Sequence, residues 1–304
     1  MAEVVEVNEE EFDEDVKAFF EKFSYEAYVS EHFHVMEVPG LKMKEEIQTA
    51  KALTLCDMDP SLGDEGACGL GKALSAIKPE QTVSITLTRN KIGDTGCAAI
   101  AAAANDVLNV RTLCLMQNDI GDAGLEAIAQ KCKMASFTTL VLSQNKIGDA
   151  GLAAFAQSVD DDSSFVKLNK LYLDRNPIGD DGAIALAAVL HKLPDLEYLA
   201  LYRCNIGDKG LNAITTAINK MGALSNAEYL WIQEQDPPCS NEAIEALKFA
   251  TKGKVKSYVS WPPPIPGFNY NWGKWGPEGR PLEEIQKIER ELLNPNYGKD
   301  KKKK

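Results

Sequence analysis

Between residues 80 and 220 the apolar positions of the chain alternate between two periods. Short L-x-L stretches, "ITL" at 85–87, "LCL" at 113–115, "LVL" at 140–142, "LYL" at 171–173 and "LAL" at 199–201, put apolar side chains two residues apart, the spacing of one face of a strand. After each comes a turn, then apolar residues at helical spacing, as in Leu152, Phe155, Ala156 and Val159 or Leu211, Ile214 and Ile218. The pattern therefore predicts strand, turn and helix in five successive units.

The units are copies of one another. Aligned on the Ile of "IGD" (Ile92, Ile120, Ile147, Ile178 and Ile206), they follow at steps of 28, 27, 31 and 28 residues. A unit this short cannot bury its own apolar face, so repetition at this period predicts a solenoid in which each coil packs on its neighbours. Three positions after the second apolar residue of each strand stand Asn90, Asn118, Asn145 and Asn176, with Cys204 in the fifth copy. A buried Asn both donates and accepts, and so can satisfy a turning backbone that cannot pair with itself; Cys204 donates only weakly, which predicts a less firmly held fifth turn. Asp94, Asp122, Asp149, Asp180 and Asp208 are placed to cap the helices that they open. A Gly two residues beyond each Asp is expected where close approach to the next coil excludes a Cβ.

Strand, Asn turn and helix at about 28 residues closely resemble leucine-rich repeats of the ribonuclease-inhibitor type. The resemblance implies an α/β solenoid, with a curved parallel sheet inside and α-helices outside. It extends more weakly to residues 53–74, where two extra residues precede the Leu62–Gly63–Asp64 step, and to 229–250, where "IGD" is lost and Ser240 is the expected cap, giving about seven coils. Three regions follow: an acidic helical N-terminal cap over 1–50, the solenoid over 51–252, and a Pro- and aromatic-rich extension over 253–304 with a short helix and a basic tail. In the first, Phe12, Val16, Phe19, Phe20 and Phe23 form one helical stripe suited to covering an end coil. In the last, "PPPIP" favours polyproline-II geometry, and "KDKKKK" reads as a solvated tail.

Charge and candidate chemistry refine this picture without replacing it. The formal charge of −12 argues against nucleic acid as a partner. It divides into +6 over 251–304 (twelve Lys/Arg, six Asp/Glu) and hence −18 before it. An acidic N-terminus and the lack of any eighteen-residue apolar run predict a cytoplasmic protein without a membrane span. Seven scattered cysteines without a CxxC pair read as reduced thiols. His32 and His34, two apart, are too few for a metal site. No phosphate loop, nucleophile elbow or zinc-protease motif occurs, and "GLGKAL" at 69–74 falls within a repeat helix. No enzyme, cofactor, metal or small-molecule substrate is expected.

What remains is surface. The outward positions of the strands are small and neutral early in the chain (Thr86, Thr88, Cys114, Met116, Val141, Ser143) and become aromatic later (Tyr172, Tyr198, Tyr202, Tyr229, Trp231), with Arg175 and Arg203 at the rim. Tyr, Trp and Arg dominate protein-binding hot spots. The expectation is a non-enzymatic scaffold that binds a protein partner through this aromatic face, with the C-terminal extension as either a second attachment or an intramolecular cover. Membership in a cytoskeletal or ciliary assembly is an analogy. The alternative is a regulator of a small Ras-like GTPase: Ran GTPase-activating proteins have similar repeats, but the basic end of this chain departs from their acidic tail, and neither Arg175 nor Arg203 maps onto an activating motif.

Overall fold

The computed structural model describes residues 14, 16, 17, 19, 52–58, 61–79, 82–107, 110–132, 137–159 and 165–251. Among these, seven three-residue strands alternate with seven helices: β1 (Ala52–Thr54), α1 (Gly63–Ile77), β2 (Ser84–Thr86), α2 (Asp94–Ala103), β3 (Thr112–Cys114), α3 (Asp122–Lys131), β4 (Thr139–Val141), α4 (Asp149–Ser158), β5 (Lys170–Tyr172), α5 (Asp180–Val189), β6 (Tyr198–Ala200), α6 (Asp208–Met221), β7 (Tyr229–Trp231) and α7 (Asn241–Thr251). The strands form one parallel sheet in sequence order, and each helix packs on the helices before and after it.

Register follows directly from the repeat. Leu53, Ile85, Leu113, Leu140, Leu171, Leu199 and Leu230 align across the seven strands and are buried, and Leu55, Leu87, Leu115, Leu142, Leu173, Leu201 and Ile232 form a second buried row. Burying one such side chain contributes roughly 2 kcal/mol, so these rows, together with the buried isoleucines of "IGD", drive the winding. The longer third step also carries core: Phe165 packs on Phe155 at 4.9 Å and Phe137 at 6.4 Å between ring centroids. At the N-terminal end Val16 and Phe19 are helical and belong to the same core. Phe19 lies where a Cβ on Gly69 of α1 would stand, at 2.7 Å. Phe12, Phe20, Phe23, His32, His34 and the extension over 253–304 lie outside the described residues.

The asparagine ladder forms as the residue types require. Asn118 is typical: its Nδ2 donates to Leu87 O at 2.9 Å in the preceding coil and to Leu115 O at 3.0 Å in its own, while its Oδ1 accepts from Asn90 N at 2.9 Å and Ile92 N at 3.1 Å. Asn145 and Asn176 repeat the scheme. Cys204 keeps only weak donation, to Leu173 O at 3.6 Å and Tyr202 O at 3.9 Å, and brings no amide oxygen for Ile178 N–H, the counterpart of the Ile147 N–H that Asn176 accepts. In the seventh coil the same role falls to Gln235, which donates to Leu201 O and Ile232 O and accepts from Ile206 N. The sequence pattern missed this residue because an Asn was sought; the longer amide does the same chemistry.

The aspartates correct the sequence expectation. Each of Asp94, Asp122, Asp149, Asp180 and Asp208 is the first residue of its helix, and no side chain caps α2 to α6 from the capping position itself, held by Gly93, Gly121, Gly148, Gly179 and Gly207. The carboxylates cap the following coil instead. Oδ1 of Asp94 accepts from Gly121 N at 2.7 Å and Gly124 N at 2.9 Å; Asp149 does the same for Gly179 and Gly182, and Asp180 for Gly207 and Gly210. Asp122 accepts from Gly148 N and Asp208 from Ser240 N. Asp64 begins the series on Gly93 and Gly96. Ser240 caps α7 as expected, accepting from Ala243 N.

The glycines two residues on are explained by the same contact, with the close approach running backward rather than forward. A Cβ on Gly151 would lie 2.6 Å from Asp122 Oδ1 and 2.8 Å from its Cα. "D-x-G" is therefore a link: the Asp reaches forward and the Gly leaves room for the Asp behind it.

Candidate interaction face

On the outward side of the sheet the strands present three rows of side chains. In the last three coils the first row is Lys170, Tyr198, Tyr229, the second Tyr172, Ala200, Trp231, and the third Asp174, Tyr202, Gln233. The rings form one stacked group, because strands lie only about 4.8 Å apart and flat rings fill that interval. Tyr198 stacks on Tyr229 at 4.9 Å, Tyr229 on Trp231 at 5.5 Å, and Tyr172 on Trp231 at 6.2 Å. Lys170 Nζ sits 4.6 Å over the Tyr198 ring. Burial, together with Glu228 and Tyr229, pushes the Tyr198 hydroxyl up to about 12, and burial raises Tyr172 further, so both stay protonated donors at neutral pH.

Next to this group Tyr202 lies between two guanidinium groups, Arg175 at 5.4 Å and Arg203 at 5.1 Å from its ring centroid. Its hydroxyl donates to Glu234 Oε2 at 2.9 Å, and Arg203 pairs with the same oxygen at 2.7 Å. Partial burial opposes ionisation of Glu234, but the Tyr202 hydroxyl and Arg203 outweigh it and hold the carboxyl below its usual range. Arg175 and Arg203 belong to a column that the sequence pattern left unexplained. Asp57, Arg89, Gln117, Gln144, Arg175, Arg203 and Glu234, each immediately before the ladder position, all have φ between 51° and 58°. This left-handed turn directs the ladder residue inward. Non-glycine residues hold it at about 1 kcal/mol each or more, and their side chains link coil to coil along the rim: Asp57 with Arg89 at 3.2 Å, Gln117 with Gln144 at 2.8 Å, Arg203 with Glu234.

Exposure departs from the sequence expectation. Tyr198, Tyr229 and Arg175 are half-buried and Arg203 is exposed, as an open contact face requires, but Tyr172, Tyr202 and Trp231 are buried. So are Val141 and Ala200 in the same row, at 0% and 1%. Trp231 Nε1 and Gln233 Oε1 are buried and lack a hydrogen-bond partner among the described residues, an arrangement that costs about 1–3 kcal/mol per group when nothing else satisfies it.

Chemistry of other kinds finds little here. Among the described residues no group of three or more His, Cys, Asp or Glu could hold a metal, and no helix is long and apolar enough to cross a membrane. All seven cysteines are free, and burial raises each thiol, to about 12 for Cys114, Cys132 and Cys204, so none is an activated nucleophile. A shallow depression elsewhere on the surface is lined by Thr138, Lys167, Asn169, Asp195, Glu197 and Asn226.

Comparison with known proteins bears on the repeats. The model described as "Leucine Rich repeat" matches five consecutive stretches, 84–101, 108–129, 133–156, 166–187 and 192–214. The fold is a leucine-rich repeat solenoid. No curated protein matches the sequence. Solved structures similar to parts of it include an internalin from Listeria monocytogenes (18% identity, TM-score 0.31, covering 62% of this chain and 57% of that one). A plant ice-binding protein (13%, TM-score 0.26, 58% and 69%) and a TDR receptor (11%, TM-score 0.23, 47% and 34%) are also similar. The chain thus spans less than two thirds of the internalin's length.

Proposed function

We propose that this leucine-rich repeat protein is a non-enzymatic scaffold that binds a partner protein through the outward sheet face of its last three coils. The observation that carries this reading is the stacked group of Tyr172, Tyr198, Tyr229 and Trp231, edged by Lys170, Arg175 and Arg203, on a sheet otherwise faced with small side chains. Such residues supply large contact area at low entropic cost, and typically lose about 2 kcal/mol of binding or more when a central one is truncated. The period of about 28 residues and the α-helix in every coil support the ribonuclease-inhibitor type. A cytoskeletal or ciliary assembly as the site of action rests on analogy alone. The GTPase-regulator alternative gains nothing from the geometry, because Arg203 is tied to Glu234 and both arginines are engaged on Tyr202.

The test is affinity capture with the wild-type chain and with Tyr198→Ala/Tyr229→Ala, whose half-buried rings can be removed with little effect on melting. A partner identified by mass spectrometry that rebinds the purified wild type and not the variant supports the reading; equal retention by both counts against the face. Single-turnover hydrolysis across a panel of small GTPases addresses the alternative, and acceleration by the protein would replace the scaffold reading.

A further inference from the structure

Asp174 is a charged residue type in a neutral row. The other third-row positions from the second coil onward hold Thr88, Met116, Ser143, Tyr202 and Gln233, and Asp174 is only 6% exposed. A carboxylate in such a place needs a cation or several donors, because burial penalises the charged form. Its side chain has the Ser143 hydroxyl of the coil before, at 2.5 Å, and among the described residues it makes no ion pair. The cation whose charge it feels is the next residue along, and that cation is turned elsewhere. The Arg175 guanidinium lies 5.4 Å from the Tyr202 ring centroid and pairs with no carboxylate among the described residues. This is the arrangement of a neutral carboxyl, since an ionised one would draw an adjacent guanidinium into a charge-assisted pair in preference to a ring face. Burial agrees, holding the carboxyl protonated up to about 6.

The other groups nearby do not compete for this role. Burial pushes the Cys204 thiol of the coil after up to about 12 and raises the Tyr172 hydroxyl further, so both are neutral wherever Asp174 titrates. Arg203 and the Tyr202 hydroxyl are committed to Glu234 Oε2, and Lys170 to the Tyr198 ring. Glu234, held below the usual carboxylate range, is already charged. The backbone is fixed as well: Asp174 O accepts from Gln144 N at 2.9 Å, and Arg175 N donates to Tyr202 O at 2.8 Å. What is left to respond to a charge on Asp174 is the half-buried Arg175 side chain, about 3.8 Å away at Cα.

We propose that Asp174 and Arg175 form a proton-operated switch at the rim of the sheet: with the carboxyl protonated the guanidinium lies on the Tyr202 ring, and with it ionised the guanidinium leaves the ring and pairs with Asp174. The proton goes to solvent, and the carboxylate it leaves is neutralised by a guanidinium already present. Tyr202 is then left to Arg203 alone, and a cation is withdrawn from the edge of the aromatic group. The other rim arginines lack the device, because Thr88 precedes Arg89 and Tyr202 precedes Arg203. The switch lies within the repeats and operates whether or not the face binds a partner.

NMR of the full-length protein between pH ~4.5 and ~8, spanning the range of a raised carboxyl, tests this. It follows the Asp174 carboxyl carbon and the Arg175 Nε–Hε pair, assigned by their loss in Asp174→Asn and Arg175→Lys. Both signals are expected to titrate together near pH 6, the ratio of the two Arg175 positions changing about ten-fold per pH unit, as one proton requires. In Asp174→Asn, which stays neutral, Arg175 should keep its acid-form shift at every pH. Ser143→Ala removes the hydroxyl that stabilises the carboxylate, and should move the common midpoint up by about one pH unit. A stationary Arg175 while Asp174 titrates overturns the proposal, as does an Asp174 carbon that does not titrate across the range. An Arg175 that moves with pH in Asp174→Asn as it does in the wild type overturns it too, since another acid would then be the driver. Should Asp174→Asn misfold, Ser143→Ala decides: signals that move together support the switch, and signals whose midpoints separate overturn it.

Discussion

The coils holding β2 to β4 and those holding β5 to β7 share one framework but differ in how strictly they keep it. In the first group the ladder is an unbroken run of Asn90, Asn118 and Asn145, and the outward rows hold Thr, Cys, Met, Val and Ser. In the second the ladder reads Asn176, Cys204, Gln235, and the outward rows hold four tyrosines, a tryptophan and the buried Asp174. The aspartate-to-glycine links run through both groups without change of residue type as far as Asp180. Regularity is thus kept in the coils that carry small outward side chains, and relaxed beside the aromatic face. The weaker fifth rung sits directly behind Tyr202 and Arg203.

The comparison breaks most visibly if the ladder is not what holds the regular coils. Asn118→Ala removes the acceptor for two buried N–H groups and the donor for carbonyls of two coils. A loss of about 3 kcal/mol is expected from orphaning several buried groups at once, read as a lower urea midpoint. A loss under about 1 kcal/mol would show that solvent or backbone shifts replace the rung, and that the Asn-rich half has no special firmness.

Next in size is the link between coils. Gly151→Ala places a Cβ against the backbone of Asp122, which cannot swing aside as a side-chain tip can. A cost of about 2 kcal/mol is expected from such overpacking. The same substitution at Gly124, where the nearest groups are Ile120 Cγ2 and the Asp94 carboxylate, should cost less. Equal losses would mean that the carboxylate, not the backbone, sets the limit.

A third effect belongs to the aromatic half alone. Asp174 is buried, which pushes its carboxyl up from 3.8 to about 6 despite the Ser143 hydroxyl that donates to it at 2.5 Å and the neighbouring Arg175. A raised folded-state value means that this group's contribution is fully present below its unfolded value and is lost as pH rises through about 6. Asp174→Asn, which still accepts from Ser143 and does not titrate, should match the wild type at pH ~4 and exceed it by about 3 kcal/mol at pH ~8. Melting temperatures across that range check the sign. A difference independent of pH would place the carboxylate in contact with water, and the face with it.

The fold was legible in the sequence because a repeat multiplies weak signals. One L-x-L is ambiguous, but five in register with an "IGD", four of them with an Asn, leave a single way to bury the leucines. The direction of the aspartate caps was not legible. An Asp at the start of a helix looks like that helix's own cap, and only the lateral stacking of coils brings it onto the amides of the next. The left-handed column from Asp57 to Glu234 escaped for a related reason: without Gly or Asn the residue types announce no such turn, and the ladder imposes it. At the candidate face the residues could be read off the alternation, but their burial could not, since it depends on what meets the outward side of the sheet.

The smallest expected effect bears most directly on why the two halves differ. Cys204→Asn restores to the fifth rung an amide that can donate to Leu173 O and Tyr202 O and accept from Ile178 N, as its counterparts do. A gain of about 1 kcal/mol is expected from one properly made buried hydrogen bond, raising the melting temperature with little change in denaturant slope. If the rung is weak merely because it tolerates cysteine, nothing else should change. If its looseness serves the face, the Arg203 to Glu234 pair and the Tyr202 ring become more rigid, and partner capture by the otherwise wild-type chain weakens as stability rises. A variant that is more stable and binds equally well would show that the departure at Cys204 is incidental to recognition.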